Sequence, residues 1–262
     1  MRTLKKLFLA LAALLAAGCS SVNYNQITTV VQLNNPIYKV GGSQQTEAYR
    51  LAKKRFTYAE MVPFASVEQL YPALQTKKID AAVFDRPTLD YAAALYKDYF
   101  VVLPEDLADG HVAIASSLNN KALMKEVNAF IKKYKEDGTY KEMYRRWIEK
   151  PHSAMPKIGE AKEPRATLKF ATETENTPMN FLNEKGELTG FNIELIKRLA
   201  LYLNVKAEIV VMDYSDLYEA AGVGSVDLAV ASMDVLDSMK GSVLFSDEYI
   251  DCPVAVMVRK EK

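Results

Sequence analysis

Short apolar, β-branched runs alternate with longer helical ones twice along this chain, and that alternation decides most of what it can become. In the first series, residues 37–40, 60–64 and 80–84 read as strands, and two more apolar runs of strand length follow at 99–103 and 111–115. Residues 46–54, 66–75 and 88–96 read as helices, with Ser66 a natural cap and Val67, Leu70 and Leu74 at helical spacing. The second series has strands at 168–172, 207–212, 227–231 and 254–258 and helices at 192–203 and 215–221. Strands separated by helices pair in parallel, so each series predicts an α/β layer. Ligands in such layers sit beyond the carboxyl ends of the strands, where helix N-termini point free N–H groups. The two series also echo each other. Leu70-Tyr71-x-Ala73 and Asp80-x-Ala82-Val83 match Leu217-Tyr218-x-Ala220 and Asp227-x-Ala229-Val230 at a single offset, which puts Asp85 and Ser232 at equivalent places.

Between the series lie two helices and a connector. Residues 120–134 carry Leu123, Val127, Phe130 and Ile131 on one stripe, Asp137-Gly138 breaks the run, and 139–149 space Tyr140, Met143, Tyr144 and Trp147 toward a core. Residues 151–165, with three prolines, a glycine and several charges, have linker composition.

Residues 1–18 combine a basic start, an apolar run at 7–17 and small residues, the layout of a secretory signal and too short to span a bilayer. Leu15-Ala16-Ala17-Gly18-Cys19 resembles a lipobox, which implies cleavage before Cys19, lipid on its sulfur and a tether over 19–27. Arg2, Lys5 and Lys6 fall in this leader, so the remainder is slightly acidic and nucleic acid is not an expected partner. With Cys19 acylated, Cys252 has no disulfide partner and reads as a small packed hydrophobe. His111 and His152 have no ligand-spaced companions, so no zinc site is expected. Phosphate-binding, dinucleotide-binding and nucleophile-elbow motifs are absent from the sequence, and no cofactor is expected.

Pro178-Met179, Gly186-Glu187-Leu188-Thr189-Gly190-Phe191-Asn192, 224–227 and Phe245-Ser246-Asp247-Glu248-Tyr249 resemble the first half of the extracellular solute-binding proteins of family 3. Residues 38–42, 66–85 and Asp137-Gly138-Thr139-Tyr140 with Trp147 resemble the second half. The order is reversed, so the resemblance implies a circularly permuted, two-lobe fold of the type II periplasmic-binding-protein kind, α/β with mixed sheets flanked by helices. Residues 28–110 would form one lobe and 111–262 the other, with a hinge strand at 111–116. One covalent crossing between lobes is expected there, the terminal strand being held by hydrogen bonds alone. The implied function is a monomeric, lipid-anchored, extracytoplasmic binder, not an enzyme, that captures a small polar solute for an ABC permease. The solute would be amino-acid-like, or a related amine or organic acid. A sensory or assembly module with a degenerate cleft, and a dehydratase-like enzyme, are the alternatives.

The resemblance also assigns a cleft. The family's carboxylate-binding arginine falls at Met239, the threonine before it at Leu236, and the stacking aromatic at Met179, so a free α-amino acid held through a bidentate arginine does not suit this chain. Asp85 stands where the family holds a ligand ammonium, or else caps the helix that follows. Gln45 and Thr46 lie near a helix start that receives a carboxylate, or simply cap it. Ser232 and Asp234 face the cleft or end their strand, and Tyr214 is a cleft aromatic or a helix-opening staple. Lys240 and Arg86 are candidate anion contacts or solvated charges. An enzyme would draw its acid or base from Asp85, Asp234 or Glu173.

Overall fold

The computed structural model describes residues 26–260. The leader, Cys19 and most of the tether lie outside the described residues. In chain order the elements are β1 Lys39–Ser43, α1 Glu47–Arg55, β2 Glu60–Phe64, α2 Leu70–Gln75, β3 Ala81–Asp85, α3 Arg86–Leu95, β4 Phe100–Val102 and β5 His111–Ser117. Then come α4 Lys121–Glu136, α5 Thr139–Tyr144, β6 Thr167–Thr172, β7 Glu175–Asn176, β8 Asn180–Leu182, β9 Leu188–Thr189, α6 Phe191–Leu203 and β10 Lys206–Val211. The last are α7 Leu217–Val223, β11 Leu228–Asp234, β12 Val243–Phe245, β13 Ile250–Asp251 and β14 Val254–Arg259.

Two sheets make two lobes. The five-stranded sheet runs β2-β1-β3-β14-β4, parallel through β3 and antiparallel at β14 and β4. The six-stranded sheet runs β10-β6-β11-β5-β12, with β13 also on β5, and is parallel only across β10, β6 and β11. A third, small sheet joins β7, β8 and β9. Both large sheets are covered on two faces, and strand period decides which side chain goes where. In β3, Ala82 and Phe84 meet α2 and α3, while Ala81 and Val83 meet α1. In the other lobe, Phe170, Leu228 and Val230 face α4 and α6, while Ala171, Ala229 and Ala231 face α7.

Two expectations are corrected here. Val254–Arg259 belongs to the five-stranded sheet, paired with β3 and β4, so residues 111–262 are not one lobe. The chain therefore crosses between lobes twice, at 108–111 and at 251–254, and the terminal strand is tied covalently as well as by hydrogen bonds. The crossings run side by side, with the Val254 N–H donating to the Ala108 carbonyl at 2.9 Å. Their approach is so close that a Cβ on Gly110 would lie 1.9 Å from the Cys252 carbonyl oxygen. Nor is 111–116 simply a hinge: Val112, Ala113, Ile114 and Ala115 are all buried in the core of the six-stranded lobe.

The motifs of 178–192 and 245–249 serve this packing. Gly190 has φ +125°, and a Cβ there would fall 2.4 Å from the Met179 carbonyl oxygen, so glycine lets 178–179 fold onto the start of α6. The Asn192 N–H then donates to that same carbonyl at 2.8 Å.

Candidate functional site

The carboxyl ends of β1 and β3 in one lobe, and of β6, β10 and β11 in the other, face each other across a cavity of about 380 Å³. This is where parallel strands and helix starts leave polar groups unspent. Five carboxylates line it: Asp85 from one lobe, and Glu173, Glu175, Asp213 and Asp234 from the other. Among the described residues, no lysine or arginine lines it.

Three hydrogen bonds cross from lobe to lobe around the cavity. The Glu47 N–H donates to Asp234 Oδ2 at 3.2 Å, the Thr177 N–H to Glu68 Oε1 at 3.1 Å, and Thr88 Oγ1 to Asn176 Oδ1 at 3.0 Å in a buried setting. Glu68 Oε2 is buried without a partner. Asp234 is also reached by the Tyr214 hydroxyl at 3.5 Å, and the Tyr218 hydroxyl donates to its carbonyl at 2.9 Å.

Burial dominates the electrostatics. It holds the Asp85 carboxyl well above the usual carboxylate range, with the nearby Asp234 charge adding to it and a hydrogen bond from Cys252 opposing it. Asp234 is raised to about 6 by burial, against the bond from the Glu47 N–H. Glu173 is raised to about 7, again by burial, with Glu68 and Glu175 contributing. Burial also raises Glu68 and lifts the Tyr214 phenol well above its ordinary value. Taking a carboxylate out of water disfavours its charged form, and Arg50, which opposes this at Asp234, stands outside the cavity lining.

A buried polar chain supports the floor. The Tyr249 hydroxyl donates to Asn192 Oδ1 at 2.9 Å and accepts the Ser232 N–H at 2.9 Å, while Asn192 Nδ2 donates to Ser232 Oγ at 3.2 Å and to Asn180 Oδ1. Asn180 in turn donates to Glu173. Ser232 has φ +53°, at the point where the pairing of β11 with β5 shifts register. Such strain in a non-glycine residue persists only where its surroundings hold it, and here they also orient Glu173.

Asp85, Gln45, Thr46, Tyr214, Ser232 and Asp234 are thus brought to one cavity. Asp85 makes no side-chain bond as a cap of α3, whereas Thr46 does cap α1 by accepting the Tyr49 N–H at 3.3 Å. Met179 and Met239 are not part of the lining. Met179 is 1% exposed inside the core under α6, and Met239 packs against the core of α7 and β11, because motif position places a loop but not the direction of its side chain. Lys240 pairs with Asp237 at the rim of a wider outer opening, and Arg86 is held by Asp106 and the Leu103 carbonyl outside the cavity. Glu175, Asp213, Glu68, Thr88 and Asn176 were not expected; their only trace in the sequence is a polar residue within a few positions of a strand's end. Among the described residues, no group of three histidine, cysteine, aspartate or glutamate side chains is placed to hold a metal ion, and no helix is long and apolar enough to cross a membrane.

Comparison with known proteins places the chain. A probable histidine-binding protein of Neisseria gonorrhoeae is 29% identical over 102 residues, 39% of this chain and 38% of that protein. A glutamine-binding ABC transporter protein of Bacillus subtilis is 30% identical over 112 residues, 43% of this chain and 40% of its own length. The chain thus spans about two-fifths of the length of these relatives. Among solved structures, an ABC transporter periplasmic substrate-binding protein of Coxiella burnetii is similar over 85% of both chains at 15% identity and a TM-score of 0.45. The family model of the bacterial extracellular solute-binding proteins, family 3, matches residues 34–150 and 168–262, most of the chain. Two mixed α/β lobes closing on a cavity at their strand ends accord with that match, and the chain belongs to family 3 of the bacterial extracellular solute-binding proteins.

Proposed function

We propose that this protein captures a small cationic solute, an amine or guanidine, between its lobes outside the cytoplasm and hands it to an ABC permease. The observation that carries the reading is the cavity of five carboxylates without a lysine or arginine. Three of these, Asp85, Asp234 and Glu173, resist ionisation while the cavity has no cation, so a cation entering it recovers the energy their burial costs. The ligands named for the two relatives differ from each other, so the solute class is argued from the cavity and not from them. The lipobox-like run ending at Cys19 supports a lipid anchor. The order of the motifs, with Gly186 to Asn192 after Asp137-Gly138-Thr139-Tyr140, supports a permuted order of the halves.

Thermal unfolding in the presence of solute pools tests this. A cation at a hundred times its Kd stabilises by about 2.7 kcal/mol, raising the midpoint by roughly 5–10 °C in a chain of this size. Stabilisation by organic acids or sugars, with none by amines or guanidines, overturns the reading.

The degenerate-cleft alternative is less favoured, since Met179, Met233 and Met239 lie in or against the cores and leave the cavity open, lined by polar and apolar side chains together. The enzyme alternative keeps one observation: Glu173 near 7 and Asp234 near 6 suit proton transfer at neutral pH. Incubating the protein with each stabilising amine and analysing the mixture by NMR separates the two. A binder returns the amine unchanged, and an enzyme does not.

A further inference from the structure

The start of α1 is where a helix meets the cavity, and the N–H groups of Thr46, Glu47 and Tyr49 are already engaged. Thr46 N–H donates to the Ser43 carbonyl at 3.1 Å and Tyr49 N–H to Thr46 Oγ1 at 3.3 Å, both within their own lobe. Glu47 N–H does something different: it donates to a carboxylate oxygen of Asp234, which arrives from the end of β11 in the opposite lobe. A helix N-terminus favours an anion. Here the anion belongs to the protein, and the Tyr214 hydroxyl helps to fix it.

A solute carboxylate entering this cavity would find that helix start occupied, no arginine or lysine in the lining, and five carboxylates around it. Asp234 already occupies that helix start, and a second carboxylate brought beside it there is excluded as effectively as by a clash. A solute that brings only positive charge meets none of these obstacles.

We propose that Asp234 sets specificity as a built-in carboxylate that takes up the anion position of the cavity, so that the protein selects amines lacking a carboxyl group over the amino acids with the same side chain. The proposal rests on the cation reading above and narrows it: the substrate class is diamines and guanidino-amines, and the discrimination is made at the carbon that would bear the carboxylate.

Calorimetric titration of the full chain with matched pairs tests it: putrescine against ornithine, cadaverine against lysine, and agmatine against arginine. Wild-type protein is expected to bind the amine of at least one pair about tenfold or more tightly than its amino acid. In Asp234→Ala, which frees the Glu47 N–H, that ratio shrinks or inverts. Asp234→Asn keeps the shape and an acceptor oxygen but not the charge, and gives an intermediate ratio. Wild-type protein that binds the amino acid as tightly as its amine overturns the proposal while leaving cation binding intact, as does an amine preference unchanged in both variants. Failure of wild-type protein to bind any member of the pairs overturns the cation reading itself.

Discussion

Two sets of carboxylates are withdrawn from water in this molecule, and they have been treated in opposite ways. Glu194, in the first turn of α6, is completely buried, yet it accepts from Arg146 at 2.9 and 3.0 Å, from Trp147 Nε1 at 2.7 Å and from Arg198 at 2.7 and 2.8 Å. Its charge is answered from three sides within the six-stranded lobe. Asp85, Asp234 and Glu173 face the cavity with hydrogen bonds from neutral groups and no cation in the lining. A buried carboxylate paired with arginines is part of the frame, whereas the carboxylates lined up without a basic side chain are where the proposed solute would bind.

The contrast breaks first at Glu194. Replacing it by alanine removes the buried partner of Arg146 and Arg198 and the acceptor of Trp147, and breaking such a pair costs about 3 kcal/mol, the low end for a buried pair because Arg146 keeps Glu142 and both arginines reach water. Chemical denaturation should show that loss, with cation affinity unaltered in the protein that remains folded. Asp85→Asn should do the reverse. It removes a charge that burial disfavours, so stability without ligand holds or rises, while cation affinity falls by about 2–5 kcal/mol in calorimetry. A variant destabilised like Glu194→Ala, with affinity intact, would erase the distinction.

How far this contrast is visible in the sequence differs between its two sides. The layers are legible because they rest on period: the alternation Ala81, Ala82, Val83, Phe84 sends successive side chains to opposite cores, and Met124, Val127, Phe130, Ile131 and Tyr134 keep one stripe of α4. The lobe that receives Val254–Arg259 is not legible, since an apolar strand buried on both faces reads alike in either sheet. The cavity is half legible. Asp85, Ser232 and Asp234 follow from strand ends, but Glu175 and Asp213 meet because β6 and β10 are neighbours in one sheet, and that pairing is not written in the sequence. Glu194 looks like any charge on a helix until its arginines, one from the far side of the linker, are seen around it.

Protons sharpen the comparison further. An ordinary glutamate loses its proton near 4.5, while Glu173 keeps its own to about 7 because of burial. Between those values the folded protein holds a proton that the unfolded chain has released, so stability falls as pH rises through that window, by on the order of 3 kcal/mol for such a group. Asp234 adds in the same direction up to about 6. Ligand binding runs opposite, because a cation requires the carboxylates ionised. Unfolding midpoints between pH 5 and 8 should therefore fall without ligand, and the gain from a bound amine should grow.

The smallest effect asks whether closure itself creates the unpaired set. Thr88 and Asn176 share a buried bond between lobes at 3.0 Å, and Thr88→Val leaves the Asn176 oxygen without its donor only while the lobes are shut. That penalises the closed arrangement by about 1 kcal/mol, a several-fold shift toward open molecules. In those molecules water reaches Glu173 and Asp234, and their proton affinities relax toward ordinary values, whereas Glu194 sits wholly within one lobe and is untouched. The slope of stability against pH should flatten in Thr88→Val, and amine affinity should drop several-fold. If the slope keeps its wild-type steepness while solution scattering reports more open lobes, burial within the six-stranded lobe, and not the meeting of the two, is what holds these protons.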